Sequence, residues 1–358
     1  MKPHYTLQLT TMKLGIIGAG RLGSFHADKA AAYSNVQISG IYDESSAASE
    51  ALAKKHNCIA FHSLDELLTQ VEAVVVATPS TTHNAVGIRC LNAGCHVLME
   101  KPLCVTSVEA AQLVTLAREH NRVLQVGHIE QFNPAWHSAA PILDRVASGE
   151  QALLETTRTS GYTFRSTDIG VVLDMMIHDI DLVMSVVPSL INNVDAVGFY
   201  VIDSSRKQGH EDIAQARITF DNGTVATLYA SRVASEAVRK MNIITERQSA
   251  TIDFATRTAK FIEPSEEVVT GNFAANKISP VEAAKLAPTF MKEHFKVTEL
   301  AENAVDALSL EMSDFINAIE KKYEPKVNGK QGLTAVQVAE RILKQIHTTE
   351  TMTEKRAA

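Results

Sequence analysis

A glycine cluster, Gly18-Ala19-Gly20-Arg21-Leu22-Gly23, follows directly on the apolar run Lys13 to Ile17 and precedes the helix-patterned stretch Ser24 to Tyr33. No other feature leaves this chain so few choices of backbone path. At that strand-to-helix turn Gly18 permits the tight bend, Gly20 lets a pyrophosphate approach the backbone, and Gly23 lets helix and strand pack closely. The helix amino terminus then faces the phosphates with unpaired N–H groups and a partial positive charge. The second apolar run ends at Tyr42-Asp43, 20 residues after Gly23, where an acidic side chain bonds the two ribose hydroxyls of adenosine. Asp43 would also repel a 2′-phosphate, which favours NAD over NADP. It is equally placed to cap the helix that follows, since Asp is a preferred N-cap. The predicted cofactor contacts of this segment are Gly18, Gly20, Arg21, Leu22, Gly23 and Asp43.

From Lys13 to Val126, near-continuous apolar runs alternate with helix-patterned segments. The runs are Leu14 to Ile17, Val36 to Tyr42, Ala73 to Ala77, His96 to Met99 and Val123 to Val126. A parallel sheet covered on both faces requires this pattern, so an α/β Rossmann domain is predicted over 12–127. The carboxyl ends of such strands open onto the ligand crevice, which places Thr78, Pro79 and His83 beside the cofactor. A proline-terminated strand followed by a capped helix is the plainer reading of that loop. After about residue 150 the pattern turns to alternation, as in Ile213 to Phe220 and Thr224 to Ala230, joined by the turn sequence Asp221-Asn222-Gly223. An α+β domain with a large, mostly antiparallel open sheet is therefore predicted over 128–346. Its C-terminal helical segment, from Val305 to Ile346, is a candidate to pack back on the first domain.

The net charge of -7 argues against a nucleic-acid surface, which needs a basic excess. Cys58, Cys90, Cys95 and Cys104 form no Cys-x-x-Cys pair and read as reduced thiols, so a cytoplasmic protein is expected. No window reaches the roughly 18 apolar residues of a membrane span. Met1 to Met12 has no signal-like apolar core.

At the end of the fourth run stands Glu100-Lys101-Pro102, a charged pair where a buried strand would otherwise finish apolar. Together with the glycine cluster, Thr78-Pro79 through His83, Gly127-His128, the alternating second half, and Asp314-Phe315 through Gly332 followed by Ala335 to Ile346, it resembles the glucose-fructose oxidoreductase/inositol dehydrogenase/MocA family. The resemblance covers nearly the whole chain beyond Met12. It implies an NAD(P)-dependent oxidoreductase acting on CH–OH groups, with Lys101 as a catalytic and substrate-orienting residue beside the nicotinamide and Glu100 in the same turn. An ammonium near the reacting hydroxyl would stabilise negative charge as the proton leaves. A structural Glu100–Lys101 ion pair is the competing reading.

Leu173 to Asp181 (LDMMIHDID) carries the second constellation. If it is helical, Asp174 and His178 stand four apart on one face and Asp181 follows one turn later. The family's Asp-x-x-x-His pair is similar, and its histidine is the usual acid/base group. Carried over, His178 accepts the hydroxyl proton as hydride departs, and Asp174 orients the imidazole or bonds a neighbouring hydroxyl. A packing face with a satisfied histidine is the alternative. Met176 stands where family members often have glycine, which alters pocket shape more than the role of His178. Asp174, His178, Asp179 and Asp181 do not place three ligands tightly on one face, so no metal is expected.

The polar stretch after the fifth run, Gly127 to Pro134, supplies Gln131 and Asn133 as expected sugar contacts. Gln131 replaces an arginine common in the family, which weakens any case for an anionic substrate. The full expected substrate set is Lys101, Gln131, Asn133, Arg158, Asp174 and His178, with Tyr162 and Arg165 nearby. The combination looks closest to members that oxidise nucleotide sugars, including UDP-N-acetylglucosamine at the 3-hydroxyl. The resemblance also implies a homodimer or homotetramer through the large sheet. An oxidoreductase acting on a dihydrodiol, imine or bilin, and a non-catalytic NAD-sensing regulator, are the rival readings.

Overall fold

The computed structural model describes residues 11–270, 273–301 and 306–357, the side chains of 275 and 349–357 apart. The chain divides into two compact units. The first is built from residues up to Ile129, with Ser166–Ile169 and Ala307–Glu340; the second comprises Glu130–Arg165, Gly170–Asp306 and residues from Arg341 on.

In the first unit, six strands form a wholly parallel sheet: β1 (Met12–Ile17), β2 (Val36–Tyr42), β3 (Ile59–Phe61), β4 (Ala73–Val76), β5 (His96–Glu100) and β6 (Leu124–Gly127). Their order is β3-β2-β1-β4-β5-β6, so the strand order reverses between β1 and β4. That reversal opens the crevice in which a doubly wound sheet binds its ligand. Every residue of β4 is buried, as its unbroken Ala-Val-Val-Val run demands. Helices α1 (Arg21–Ala30), α2 (Ser46–His56), α3 (Leu64–Leu68), α4 (His83–Asn92) and α5 (Ser107–Glu119) connect the strands. α5 begins with a capping box in which Thr106 and Glu109 satisfy each other's backbone N–H groups. Strand β3 had no counterpart among the apolar runs. It has three residues, none fully buried, and lies at the sheet edge.

Helix Ala307–Lys321 belongs to this unit: Met312, Phe315 and Ile316 complete the core around Leu14, Ile16, Ala27 and Ile41. Residues 307–321 thus pack on the parallel sheet within the first unit.

The second unit carries an eight-stranded sheet, ordered β14-β13-β12-β11-β7-β10-β9-β8. Its strands are β7 (Leu153–Thr159), β8 (Ile191–Phe199), β9 (Ile213–Phe220), β10 (Val225–Ser231), β11 (Val238–Ile244), β12 (Ser249–Asp253), β13 (Thr258–Pro264) and β14 (Phe295–Ala301). All neighbours are antiparallel except β7 and β10. The β9–β10 hairpin turns at Gly223, whose φ of 83° is left-handed, as the Asp-Asn-Gly sequence requires. One face of the sheet packs inward through Leu154, Ala216, Leu228, Met241 and Ile252. Among the described residues no helix is long and apolar enough to cross a membrane.

Glu311 is fully buried in the first unit, and its carboxyl oxygens meet no hydrogen-bond partner among the described residues. Burial, reinforced by the charges of Glu100 and Asp314, pushes this carboxyl well above its ordinary range. The folded chain therefore holds a proton there that the unfolded chain releases. Its contribution favours folding most below the unfolded carboxyl value and declines as pH rises toward the folded one. Thermal melts of Glu311→Gln against the parent should show the variant gaining ground from pH 5 to pH 8, by up to about 1.4 kcal/mol per pH unit over which only the folded state is protonated. A difference that stays constant across that range would show that Glu311 is ionised in the fold.

Candidate functional site

The first unit builds a dinucleotide cradle from backbone outward. Gly18 has φ of 96°, and a Cβ there would lie 2.5 Å from the Ala77 carbonyl oxygen. A Cβ on Gly23 would lie 1.8 Å from the Gly18 carbonyl oxygen, so only glycine lets α1 start this close to β1. Gly20, by contrast, faces open space and is exposed, which leaves its backbone approachable. No side chain caps α1, and its first turn carries no acid. Uncapped N–H groups beside an approachable glycine suit a bound pyrophosphate, so the residues fit NAD. Arg21 and Leu22 lie exposed on the first turn of α1.

Asp43 fixes the rim of this cradle. Its Oδ2 accepts the Ala19 N–H at 2.6 Å and its Oδ1 accepts the Ser45 N–H at 2.8 Å. Ser45, not Asp43, caps α2, accepting from the Ala48 N–H. The carboxylate is thus tied to the glycine loop and retains lone pairs toward the crevice.

Beyond β4, Thr78 is half-buried and Pro79 precedes a short helical turn, Ser80–Thr82. His83 is buried, with Nδ1 2.8 Å from the Pro102 carbonyl oxygen and Nε2 3.1 Å from that of Thr78. Burial pushes its pKa down, against the pull of those two carbonyls. His83 therefore ties the loop after β4 to the turn after β5, and both of its ring nitrogens are engaged there.

Glu100 closes β5. Its Oε1 meets His26 Nε2 at 2.8 Å and its Oε2 accepts the Lys101 N–H at 3.2 Å. Burial would raise this carboxyl, but the His26 hydrogen bond and the charges of His26 and Lys101 outweigh it and hold Glu100 below its ordinary range. Glu100 is thus a buried anchor of the turn, while Lys101 beside it is partly exposed at the strand's carboxyl end. The Lys101–Pro102 peptide is cis.

In the second unit, Val172–Met176 forms a π-helical turn that runs into helix Ile177–Val186. Such turns occur often at functional sites. Asp174, Met175 and His178 are partly exposed, whereas Val172, Leu173, Met176, Ile177 and Ile180 are buried. Asp174 and His178 therefore share the accessible side, as their spacing suggested. Asp181 does not, being buried where its Oδ2 accepts Gln131 Nε2 at 2.8 Å.

Three expected substrate contacts take other parts. Arg158 is 4% exposed, and its guanidinium donates to both oxygens of Asp179 at 3.0 and 2.9 Å and to Glu130 at 2.8 Å. Asn133, 7% exposed, caps helix Pro134–Ser138 and donates to Glu130 and to the Phe254 carbonyl. Gln131, 3% exposed, holds Asp181. Arg158 and Gln131 thus brace the helix of His178 through Asp179 and Asp181, and Asn133 bonds Glu130, the other partner of Arg158. A buried, bidentate arginine is a costly group to leave unpaired, which explains why two carboxylates meet it. Arg165 is exposed, and Tyr162 lies under the Arg232 guanidinium. Sequence reasoning passed over His26, Glu130 and Arg232. Each is a charged or titratable residue embedded in an apolar pattern, which was the available signal. Among the described residues no group of three His, Cys, Asp or Glu side chains is arranged to hold a metal.

Comparison with known proteins supplies an independent line. The profile of an oxidoreductase family with an NAD-binding Rossmann fold matches residues 12–128, and that of the same family's C-terminal α/β domain matches 155–353. UDP-N-acetylglucosamine 3-dehydrogenase of Acidithiobacillus ferrooxidans is 36% identical over 308 residues, 86% of this chain and 88% of that protein. A crystal form of that enzyme superposes with a TM-score of 0.79 at 32% identity, covering 94% of this chain and 98% of the other. Inositol 2-dehydrogenase of Rhizobium meliloti is 24% identical over 345 residues, 94% of this chain and 97% of that one.

If Asp43 anchors both glycine loop and ribose, Asp43→Ala should weaken NAD binding about 10- to 100-fold in isothermal titration, the worth of one or two charge-assisted hydrogen bonds. Unchanged affinity would remove Asp43 from the cofactor site.

Proposed function

This chain belongs to the Gfo/Idh/MocA oxidoreductase family, and from that premise we propose that it oxidises a secondary hydroxyl of a nucleotide sugar. It is an NAD-dependent oxidoreductase of CH–OH groups, and sugar dehydrogenases are among its relatives. The observation that carries the finer reading is the 36% identity, over most of both chains, to an enzyme named for UDP-N-acetylglucosamine.

Bound NAD supplies the hydride acceptor. His178 takes the hydroxyl proton, for which an imidazole is suited near neutral pH. Lys101 stabilises the alkoxide charge that develops as the proton leaves. Asp174, on the same accessible side as His178, orients the imidazole or holds a neighbouring hydroxyl. Reduction in the reverse direction uses the same groups. Glu100 contributes through backbone, holding the turn that presents Lys101.

We assign the reaction to the cytoplasm, in keeping with four free thiols. The outer face of the eight-stranded sheet carries Leu153, Val197, Phe199, Tyr229 and Val297, with Phe199 60% exposed. These apolar groups flank the polar row Asp195, Arg217, Thr227 and Glu155, a surface that suits pairing with a second copy. Light scattering should give twice or four times the chain mass, and Val197→Asp should shift it toward a single chain.

The activity is tested with purified protein, NAD and a panel of UDP-N-acetylglucosamine, inositol and hexoses. NADH should form fastest with the nucleotide sugar, and Lys101→Ala or His178→Ala should lower kcat by about 10²- to 10⁴-fold. NADH formation with no member of the panel would count against the sugar reading. Unchanged turnover in Lys101→Ala would overturn its catalytic role.

A further inference from the structure

The helical segment that presents Asp174 and His178 starts at an unusual place. Its first residues, Val171 and Val172, have no side chain of their own segment as a cap. Their N–H groups are instead accepted by one residue remote in sequence. The Val171 N–H meets the Glu211 backbone carbonyl at 2.8 Å, and the Val172 N–H meets the Glu211 carboxyl Oε1 at 2.7 Å. Glu211 is 1% exposed. It stands two residues before β9, at the end of the turn that follows helix Asp203–Gln208.

The neighbourhood is shaped around this carboxyl. A Cβ at Gly170 would lie 2.2 Å from Oε2 and 2.4 Å from Oε1 of Glu211, so no other residue fits at the start of the segment while the carboxyl is there. Gly170 in turn accepts the Asp174 N–H at 2.9 Å, which links the glycine directly to the first of the two presented side chains. The next residue, Asp212, is locked independently. Its Oδ2 accepts the Val201 and Ile202 N–H groups at 2.8 Å each, and its Oδ1 accepts Arg232 Nε at 2.8 Å. Arg232 also donates to Ser205 Oγ at 3.2 Å. With its neighbour held by three bonds, Glu211 has little freedom to follow the helix, so the helix must follow Glu211.

We propose that Glu211 is a positioning residue for the hydride-transfer reaction: its carboxyl and carbonyl set the register of the π-helical turn, and so the direction in which Asp174 and His178 point. The proposal rests on the reading of His178 as the acid/base group. Glu211, buried away from solvent, acts through Val171 and Val172. Burial pushes its carboxyl up to about 7, opposed by the Val172 N–H, its own N–H and Arg232, and assisted by Asp212. An oxygen acceptor is present in both protonation states, and a glutamine amide reproduces it.

The test uses the full-length protein with NAD and UDP-N-acetylglucosamine, together with amide hydrogen exchange of the unliganded chain. Glu211→Ala should lower kcat about 10- to 100-fold, the cost of a small misplacement of reacting groups, with the KM for NAD within about twofold of the parent. Amides of 171–178 should exchange faster. Glu211→Gln should restore both kcat and protection to within about threefold. Gly170→Ala, which displaces the carboxyl without removing it, should reproduce the alanine phenotype and guards against a misfolded Glu211→Ala. Parent-like protection in Glu211→Ala, or faster exchange with parent-like kcat, overturns the proposal. His178→Ala is measured alongside. If it keeps full kcat, the acid/base assignment fails by itself. If the nucleotide sugar is not oxidised, exchange in the Ala and Gln variants decides whether Glu211 sets the helix.

Discussion

The approach of α1 to β1 is the constraint from which the first unit follows. With 1.8 Å between a hypothetical Gly23 Cβ and the Gly18 carbonyl oxygen, helix and strand can meet only because neither position has bulk. That contact aims the uncapped amino terminus of α1 along the carboxyl edge of the sheet, where β2, β4 and β5 also end. Asp43, the Thr78 loop and Lys101 therefore arrive at one edge through strand geometry alone. No loop has to be shaped for that purpose. The loops are held by hydrogen bonds to backbone, as in the Asp43 bond to Ala19 and the His83 contacts to Thr78 and Pro102.

Buried charge plays a recurring part in both units, and its energetics explain its placement. An ion pair taken out of water gains little over an apolar pair of the same shape, but removing one partner leaves a charge stranded at a cost of several kcal/mol. Arg158 with Glu130 and Asp179, and Arg232 with Asp212, are therefore poor sources of stability and strong sources of geometry. Arg158 ties β7 to the helix of His178 through Asp179, and Arg232 ties the end of β10 to the start of β9 through Asp212. Glu311 is the exception. Its carboxyl oxygens meet no partner among the described residues, and burial pushes the carboxyl well above its ordinary range.

How much of this the sequence disclosed depends on the range of the interaction. The glycine turn, the acid at the end of β2 and the apolar strands were legible because each is decided within a few residues. The Asp-Asn-Gly hairpin followed from the same local rules. β3 escaped because three half-buried residues at an edge carry no periodic signal, and β7 because polar residues such as Glu155 and Thr157 occupy its open face. That Gln131, Asn133 and Arg158 are buried and paired within the protein was hidden for a different reason. Their partners Asp181, Phe254 and Asp179 lie 50, 121 and 21 residues away, so nothing nearby in sequence marks them as already satisfied. A polar side chain beside a functional segment reads the same whether it faces ligand or core.

A common arrangement links the two side chains assigned to the chemistry. Lys101 follows Glu100, whose carboxyl lies against Gly127 of β6; a Cβ there would be 3.1 Å from Oε2. The helix of His178 starts at Glu211, whose carboxyl lies against Gly170. In each unit, a buried carboxyl occupies the space a glycine leaves and bonds the backbone N–H of the segment that carries the reactive group. A carboxyl suits this task better than an apolar side chain, because a hydrogen bond fixes direction as well as distance while packing fixes distance alone. A methyl group at 170 would overlap the Glu211 oxygens, and one at 127 would crowd Oε2 of Glu100. The glycines at 127 and 170 thus have little to do with backbone freedom, for neither has a left-handed φ. They are absences of bulk, and what they admit is an oriented hydrogen-bond acceptor behind the functional residue.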